Sequence, residues 1–577
     1  MEAVSHSRIR FLTAALLFIF GVIVLRLFWM QVVQHDKYSV LANNEQVRKL
    51  IVPANRGEIY ALDMGKPVHL VLNEPVFTVF ADPVIIDEPD EIVNSVRSIA
   101  GGTARSGLEK LVRAKPSRYQ ILATNVTRKQ AKMLKDKNLT GLGFQPTTRR
   151  IYPEKELASQ VLGFVNAEGK GQYGVESGLD KRLRGTDGLL QSVTDPNNVP
   201  LTIGKNNLRK PAINGENIVL TIDRNIQSYT EQALKHGMKK AGATFGSALV
   251  MNPQDGSVVA MANFPTYKPE EFTKVMDPAA FNNAIISSPY EPGSVMKTFT
   301  LATGIDRGVV TPESTYLNTD KITVDDRTIE NAAKGQLGQV SMQTALNWSL
   351  NTGMVTIAQR LGDGNYINSR ARNTMYSYLH DKFRLGKETG IDIAGEAAGY
   401  MVPPNSGEGN AVRYSNMSFG QGMNLTMLQV ASGFSAMVNG GEYYSPRIVA
   451  GTVNEDGEYV AGEKPKSKGQ VIKSATSSQM RKMIYDARRA FHADGDKKGY
   501  FVGGKTGTSQ TLVNGKYDFG QTVGTYLGFG GDTAPKYVIM IQVSAPGKAL
   551  EGNTHAMPIF TDISNWMIDY LQLRPRS

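Results

Sequence analysis

The chain has 577 residues, 41% of them hydrophobic and 20% charged, so it exceeds the size of a single core and can bury enough apolar surface to order itself; disorder is not the default, and two or more domains are expected. Its lack of cysteine excludes disulfides, thiolate catalysis and cysteine-ligated zinc. The formal charge of +11 suits anionic lipid headgroups or anionic wall polymers, with nucleic acid as the competing reading; the basic residues are scattered in ones and twos without a nucleic-acid motif, so charge alone selects no partner.

Phe11 to Leu25 is uncharged, and the apolar character resumes after Arg26 from Leu27 to Val33. Together these residues, 11–33, are long enough to cross a bilayer core that needs roughly 20 helical residues. Arg8 and Arg10 precede the span, which predicts a cytoplasmic N-terminus with everything after the span outside. Arg26 to Gln31 holds no small-residue cleavage site, so the span reads as an uncleaved anchor rather than a signal peptide. Arg26 has two readings, a side chain reaching the outer headgroups or a polar contact with another membrane protein.

Residues 34–210 are irregular. Val76-Phe77-Thr78-Val79-Phe80 alternates like a strand, and Thr127 to Lys137 has helical texture. Pro196 through Gly204 to Pro211, rich in Asn and Lys, reads as a linker or domain junction. Leu220-Thr221-Ile222-Asp223 then leads into a helix with Ile226, Tyr229, Ala233 and Leu234 on one face. Gly246–Met251 and Ser257–Met261 flank turn residues and predict a β-hairpin. Thr522 to Phe529 and Tyr537 to Val543 read as strands and Ile559 to Leu571 as a helix. The pattern is α+β, a sheet covered by helices.

Three short motifs carry chemistry, each occurring once in the chain. Ser294 and Lys297 stand in Glu291-Pro292-Gly293-Ser294-Val295-Met296-Lys297-Thr298, where the serine opens a helix and the lysine follows one turn later on the same face. A serine hydroxyl needs a base, and a lysine serves only if burial or nearby cations keep it neutral. Ser349-Leu350-Asn351 follows within Ala345 to Thr356, and Lys505-Thr506-Gly507-Thr508 lies on a strand-like run from Tyr500. There Gly507 lets a substrate backbone approach, Lys505 supplies a cation, and Thr506 and Thr508 supply hydroxyls for a carboxylate. Each motif alone reads equally as an ordinary helix surface, helix end or surface turn.

In this order Ser-x-x-Lys, Ser-x-Asn and Lys-Thr-Gly are the signature of penicillin-binding proteins and serine β-lactamases, and the chain resembles that family. Glu291-Pro292-Gly293, Phe419-Gly420-Gln421-Gly422, Thr426 to Gln429 and Asn439-Gly440-Gly441 extend the resemblance through the transpeptidase domain. Arg56-Gly57-Glu58-Ile59, Arg150 to Pro153, Gly163, and Gly174-Val175-Glu176 through Gly185 and Gly188 resemble the class B pedestal. Asp63-Met64-Gly65-Lys66 departs from the Asp-Arg-Asn-Gly turn usual there.

The resemblance implies a cytoplasmic tail at 1–10, an anchor at 11–33, a pedestal of the dimerisation type at 34–210, a transpeptidase domain with a central antiparallel sheet at 215–571, and a tail at 572–577. It also implies roles: Ser294 acylated, Lys297 its general base, Ser349 a proton relay, Asn351 positioning the substrate amide, Lys505 supporting the field at the serine, Thr506 and Thr508 on the terminal carboxylate, and the backbone N–H groups of Ser294 and Thr508 as oxyanion hole. The implied reaction is D,D-transpeptidation of peptidoglycan stem peptides ending in D-Ala-D-Ala, with no metal or cofactor and with β-lactams as acylating mimics. The pedestal leaves no room for a glycosyltransferase domain, so a SEDS-type glycosyltransferase and other wall-synthesis proteins are the implied partners. Several spacings, and the stretch after Lys505, look like the division-specific branch. A carboxypeptidase or β-lactamase would use the same motifs, and a sensor or catalytically idle scaffold is the reading from another class.

Overall fold

The protein is described from a computed structural model that covers residues 2–38, 47–166, 168–193, 208–513 and 516–576. It divides into two compact units, residues 1–56 with 184–215, and residues 57–183 with 216–577.

In the first unit the predicted anchor is one helix, Glu2–Phe28, ending in a wide π turn at Trp29–Val33. Ser7–Val33 is long and apolar enough to cross a membrane, and its side chains, such as Phe11 at 76% and Phe18 at 73% exposure, find no cover among the described residues. A helix apolar all round and uncovered is suited to lipid rather than to a water-facing surface. Val47–Val52, Gly188–Val193 and Leu208–Lys210 form a separate antiparallel sheet with Gly188–Val193 at its centre. Of the stretch read as a linker, 196–207 lies outside the described residues, and Leu208–Lys210 is a strand of this sheet instead.

In the second unit, Ile59–Asp63 and Lys66–Ala81 form a hairpin whose two-residue turn, Met64 and Gly65, has φ of 48° and 84°. Positive φ at both turn positions matches the twist of the flanking strands. The alternating Val76–Phe80 lies within the second strand, which pairs with Gln120–Thr127 and Leu142–Ile151. The helical stretch predicted nearby is Arg128–Lys135, started by Thr127, whose side chain and that of Gln130 cap each other's backbone. Asn217–Asp223 runs parallel to Ile59–Asp63 and antiparallel to Val449–Val453, so segments from both halves of the chain share one sheet. Arg150, on the Leu142–Ile151 strand, and Glu176, with side chains 8% and 0% exposed, form an ion pair of 2.8 Å.

The sheet at the centre of the C-terminal part has five strands, β1 Phe245–Met251, β2 Val258–Phe264, β3 Gly503–Val513, β4 Lys516–Gly531 and β5 Pro535–Ser544. Their order is β2-β1-β5-β4-β3, every neighbouring pair is antiparallel, and β3 is an edge. The helices are α1 Arg224–Ala241, α2 Lys297–Asp306, α3 Asn351–Arg360, α4 Met427–Val438, α5 Ser474–Phe491 and α6 Met557–Tyr570. Asp223 starts α1 by accepting the N–H groups of Asn225 and Ile226, both at 3.0 Å. Alternate residues of the strands serve different layers: Leu527 and Phe529 pack with Phe299 and Phe434 of α2 and α4, while Tyr526 and Ile541 pack with Leu234 and Phe560 of α1 and α6. The α+β class with a helix-covered antiparallel sheet is therefore the observed architecture.

Candidate active site

Ser294 lies in a 3₁₀ turn, Gly293–Met296, that runs directly into α2 at Lys297. The turn is anchored from the Phe419–Gly422 loop. Gly293 N–H donates to Gly420 O at 3.0 Å, Gly422 N–H donates to Glu291 Oε1 at 2.7 Å, and Tyr290 and Leu425 exchange backbone hydrogen bonds of 3.0 and 2.9 Å. Gly420 has φ of 95°, and a Cβ there would sit 2.0 Å from Gly293 O, so only glycine lets the loop approach the serine turn this closely. Gly507 serves the same end from β3, where a Cβ would lie 3.0 Å from Pro292 O and 3.2 Å from Val295 Cγ1.

Lys297 is 1% exposed, and its Nζ is 2.5 Å from Ser349 O and 3.0 Å from Ser349 Oγ. Lys505 is 5% exposed, and its Nζ donates to the same Ser349 Oγ at 2.9 Å, to Thr506 O at 3.1 Å and to Thr506 Oγ1 at 3.2 Å. One serine hydroxyl thus joins two buried amines, and the three motifs, 211 residues apart from Ser294 to Lys505, converge on it. Ser349 is held at φ of 56° at the junction before α3, a region that costs a non-glycine residue free energy.

Burial sets the charge of these amines. It holds Lys297 well below the ordinary lysine range, helped by the neighbouring Lys505 charge. It pushes Lys505 down to about 7. At 1% and 5% exposure water solvates neither ammonium, and among the described residues no carboxylate pairs with them. An amine that is neutral near pH 7 can take a proton, which an ordinary lysine cannot. His492 is held below its usual value by burial and by the Arg488 and Lys505 charges.

The remaining predicted residues fall around this centre. Asn351 begins α3 and spends one amide N–H on Glu330 O at 2.7 Å, leaving its second N–H and its Oδ1. Thr506 and Thr508 follow Lys505 on the edge strand, where Thr506 is partly buried and Thr508 exposed. Thr508 Oγ1 accepts Gly552 N–H at 3.2 Å, so its hydroxyl hydrogen remains to donate. Thr508 O lies 3.0 Å from where a Cβ on Gly293 would be, which brings the serine turn and the strand together.

Residues that reading the sequence did not single out complete the frame. Glu330 holds Asn351. Arg488 on α5, fully buried, is tied to Asp496, Tyr526 and Thr561 behind the strand of Lys505. Neither stands in a motif or at a spacing that signals its role; both act through pairings distant in sequence.

Residues 246–565 match the family model described as the penicillin binding protein transpeptidase domain, and residues 51–220 match the penicillin-binding protein dimerisation domain. The chain is 30% identical over 502 residues to the penicillin-binding protein PbpB of Mycolicibacterium smegmatis, covering 84% of this chain and 75% of that one. It is 26% identical over 574 residues to the peptidoglycan D,D-transpeptidase FtsI of Buchnera aphidicola, covering 98% of this chain and 96% of that one. Among solved structures, penicillin binding protein 3 of Mycobacterium tuberculosis complexed with aztreonam superposes with a TM-score of 0.68 at 24% identity, over 91% of this chain and 98% of that one. With the first model alone spanning more than half of the residues and the second preceding it in the N-terminal half, the chain belongs to the class B penicillin-binding proteins.

Proposed function

We propose that the protein is a peptidoglycan D,D-transpeptidase that works through an acyl-enzyme on Ser294. The observation that carries this reading is the Ser349 hydroxyl held at 3.0 and 2.9 Å by the two buried lysines, one of them a single helical turn from Ser294. If Lys297 is a neutral amine with its two N–H groups on Ser349 O and Oγ, its lone pair is left to take the Ser294 proton. Ser294 Oγ then attacks the carbonyl between two terminal D-alanines, and the backbone N–H groups of Ser294 and Thr508 meet the charge that develops on its oxygen. The proton travels from Lys297 through Ser349 Oγ to the departing nitrogen, the C–N bond breaks, and D-alanine leaves. An amine from a neighbouring stem peptide attacks the ester, its proton returns along the same path, and Ser294 is regenerated as the hydroxyl.

Lys505 in its charged form supports the field at the serine, and the Thr506 and Thr508 hydroxyls receive the terminal carboxylate. Lys505 Nζ lies 2.9 Å from Ser349 Oγ, 3.1 Å from Thr506 O and 3.2 Å from Thr506 Oγ1, which holds the amine beside the reacting serine. Asn351 offers its free N–H to the substrate amide. β-Lactams acylate the same serine in this reading. The anchor helix holds the enzyme to the cytoplasmic membrane with its N-terminus inside and its catalytic domain outside, following Arg8 and Arg10. A SEDS-type glycosyltransferase is the proposed source of glycan strands, and septal wall synthesis the proposed setting.

The test is mass spectrometry of the purified protein after exposure to a labelled penicillin. A mass increase on the peptide containing Ser294, absent from Ser294→Ala, is expected. Failure to label the wild-type protein at any concentration, or equal labelling of both proteins, refutes the acyl-enzyme. Adding an acceptor amine to a donor pentapeptide assay separates transfer from hydrolysis, which predicts free acid alone.

A further inference from the structure

β3 is an edge strand, and among the described residues it is paired on one side only, with β4. Its position is nevertheless fixed from both faces at the two residues just before Lys505. On the side of α5, a Cβ on Gly503 would lie 3.0 Å from Tyr485 N and 2.8 Å from the Phe529 ring. On the opposite side, a Cβ on Gly504 would lie 2.4 Å from Tyr526 Oη. Helix α5 therefore rests directly on Gly503 and the Tyr526 ring directly on Gly504, and no other residue type leaves room for both.

Arg488 joins the two faces. From α5 its Nη1 donates to Tyr526 Oη at 2.5 Å, its Nε and Nη2 donate to Asp496 Oδ2 and Oδ1 at 2.8 and 2.5 Å, and Nη2 also reaches Thr561 Oγ1 of α6 at 2.9 Å. The guanidinium is 0% exposed and lies 5.0 Å from the Phe560 ring. Tyr526 is in register with Thr506 on β4. A fully buried guanidinium with paired carboxylate and two hydroxyl acceptors has one geometry rather than several.

We infer that Arg488, Asp496 and Tyr526 form a clip around the edge strand that positions Lys505 and Thr506 for the reaction, with Arg488 as a positioning residue that never touches substrate. This rests on the acyl-transfer reading proposed above. Acylation depends steeply on the placement of Lys505 against Ser349, since a shift of about 1 Å at a reacting centre costs on the order of 100-fold. A structural ion pair predicts something else. Replacing a buried pair by groups of similar size is often neutral for stability, so stability and placement can be separated.

The experiment measures acylation by a labelled penicillin for the full-length protein in detergent, resolving the rate constant from the fraction of molecules that label, beside thermal unfolding. The variants are Tyr526→Phe, which deletes one hydroxyl, and Arg488→Met combined with Asp496→Leu, which removes both charges. The expected result is a rate constant reduced about tenfold or more in each, with an undiminished labelled fraction, and no rescue by Arg488→Lys, whose single ammonium cannot span Asp496, Tyr526 and Thr561. Wild-type rate constants with a reduced labelled fraction, or an unchanged rate in Tyr526→Phe, overturn the clip. Should the double variant not fold, Tyr526→Phe decides alone. Absence of labelling in the wild-type protein would instead fault the acyl-enzyme reading.

Discussion

Ser349 offers a test in which activity and stability part ways. Its hydroxyl accepts hydrogen bonds from Lys505 at 2.9 Å and sits 3.0 Å from Lys297, while its backbone is held at φ of 56°. Ser349→Ala and Ser349→Gly both delete the oxygen that links the amines. A hydrogen bond to a charged group contributes about 1.5–3 kcal/mol. Lost in the transition state, that corresponds to on the order of 10- to 150-fold in acylation rate. The two variants should lose activity alike. They should differ in stability, because alanine in the left-handed region bears a cost of roughly 1–2 kcal/mol that glycine avoids. Stopped-flow acylation with a fluorescent penicillin gives the rates, and guanidinium unfolding of the same preparations gives the stabilities. If both variants acylate within threefold of wild type, Ser349 is no relay; if alanine is as stable as glycine, the junction before α3 is not strained.

Lys297→Arg should lower acylation by 1000-fold or more on the general-base scale of about 100- to 10,000-fold, since guanidinium stays protonated; retention within tenfold in a labelling time course would remove lysine as the base. Acylation should be lost as pH falls through the depressed range of Lys297, where the amine gains its proton, and carboxylate-bearing donors should bind less well above about 7 as Lys505 loses its charge; a flat pH profile from 5 to 9 would contradict both assignments. The same depression has a stability consequence. Unfolded Lys505 carries a proton between about 7 and its ordinary 10.5 while folded Lys505 does not, so stability rises with pH across that window, and Lys505→Met should flatten the rise in unfolding experiments. Arg26, exposed in the anchor helix, separates its two readings by co-purification: with only a headgroup role, Arg26→Lys and Arg26→Leu both leave recovery of the glycan polymerase unchanged, whereas a hydrogen-bonded partner contact is lost in both.

Much of the architecture is legible along the chain because it arises from local periodicity. The anchor follows from an apolar run broken only by Arg26, the β1–β2 hairpin from two apolar stretches around turn residues, and the helix at Arg128–Lys135 from the helical texture of the stretch that holds it. The order of Ser294-x-x-Lys297, Ser349-x-Asn351 and Lys505-Thr506-Gly507 identifies the chemistry, since those residue types at those spacings are uncommon together. Other features exist only once the chain is folded. Leu208–Lys210 has a loop-like neighbourhood and becomes a strand through pairing with Gly188–Val193. Asn217–Asp223 joins the sheet of Ile59–Asp63 across more than 150 residues, a pairing without local signature. The lysines owe their lowered proton affinity to desolvation, which no sequence window measures because Lys297, Ser349 and Lys505 come together only in the fold. The Arg488 clip depends on glycines at 503 and 504 meeting a tyrosine from the next strand and an arginine from a helix, and such a juxtaposition is decided by packing alone.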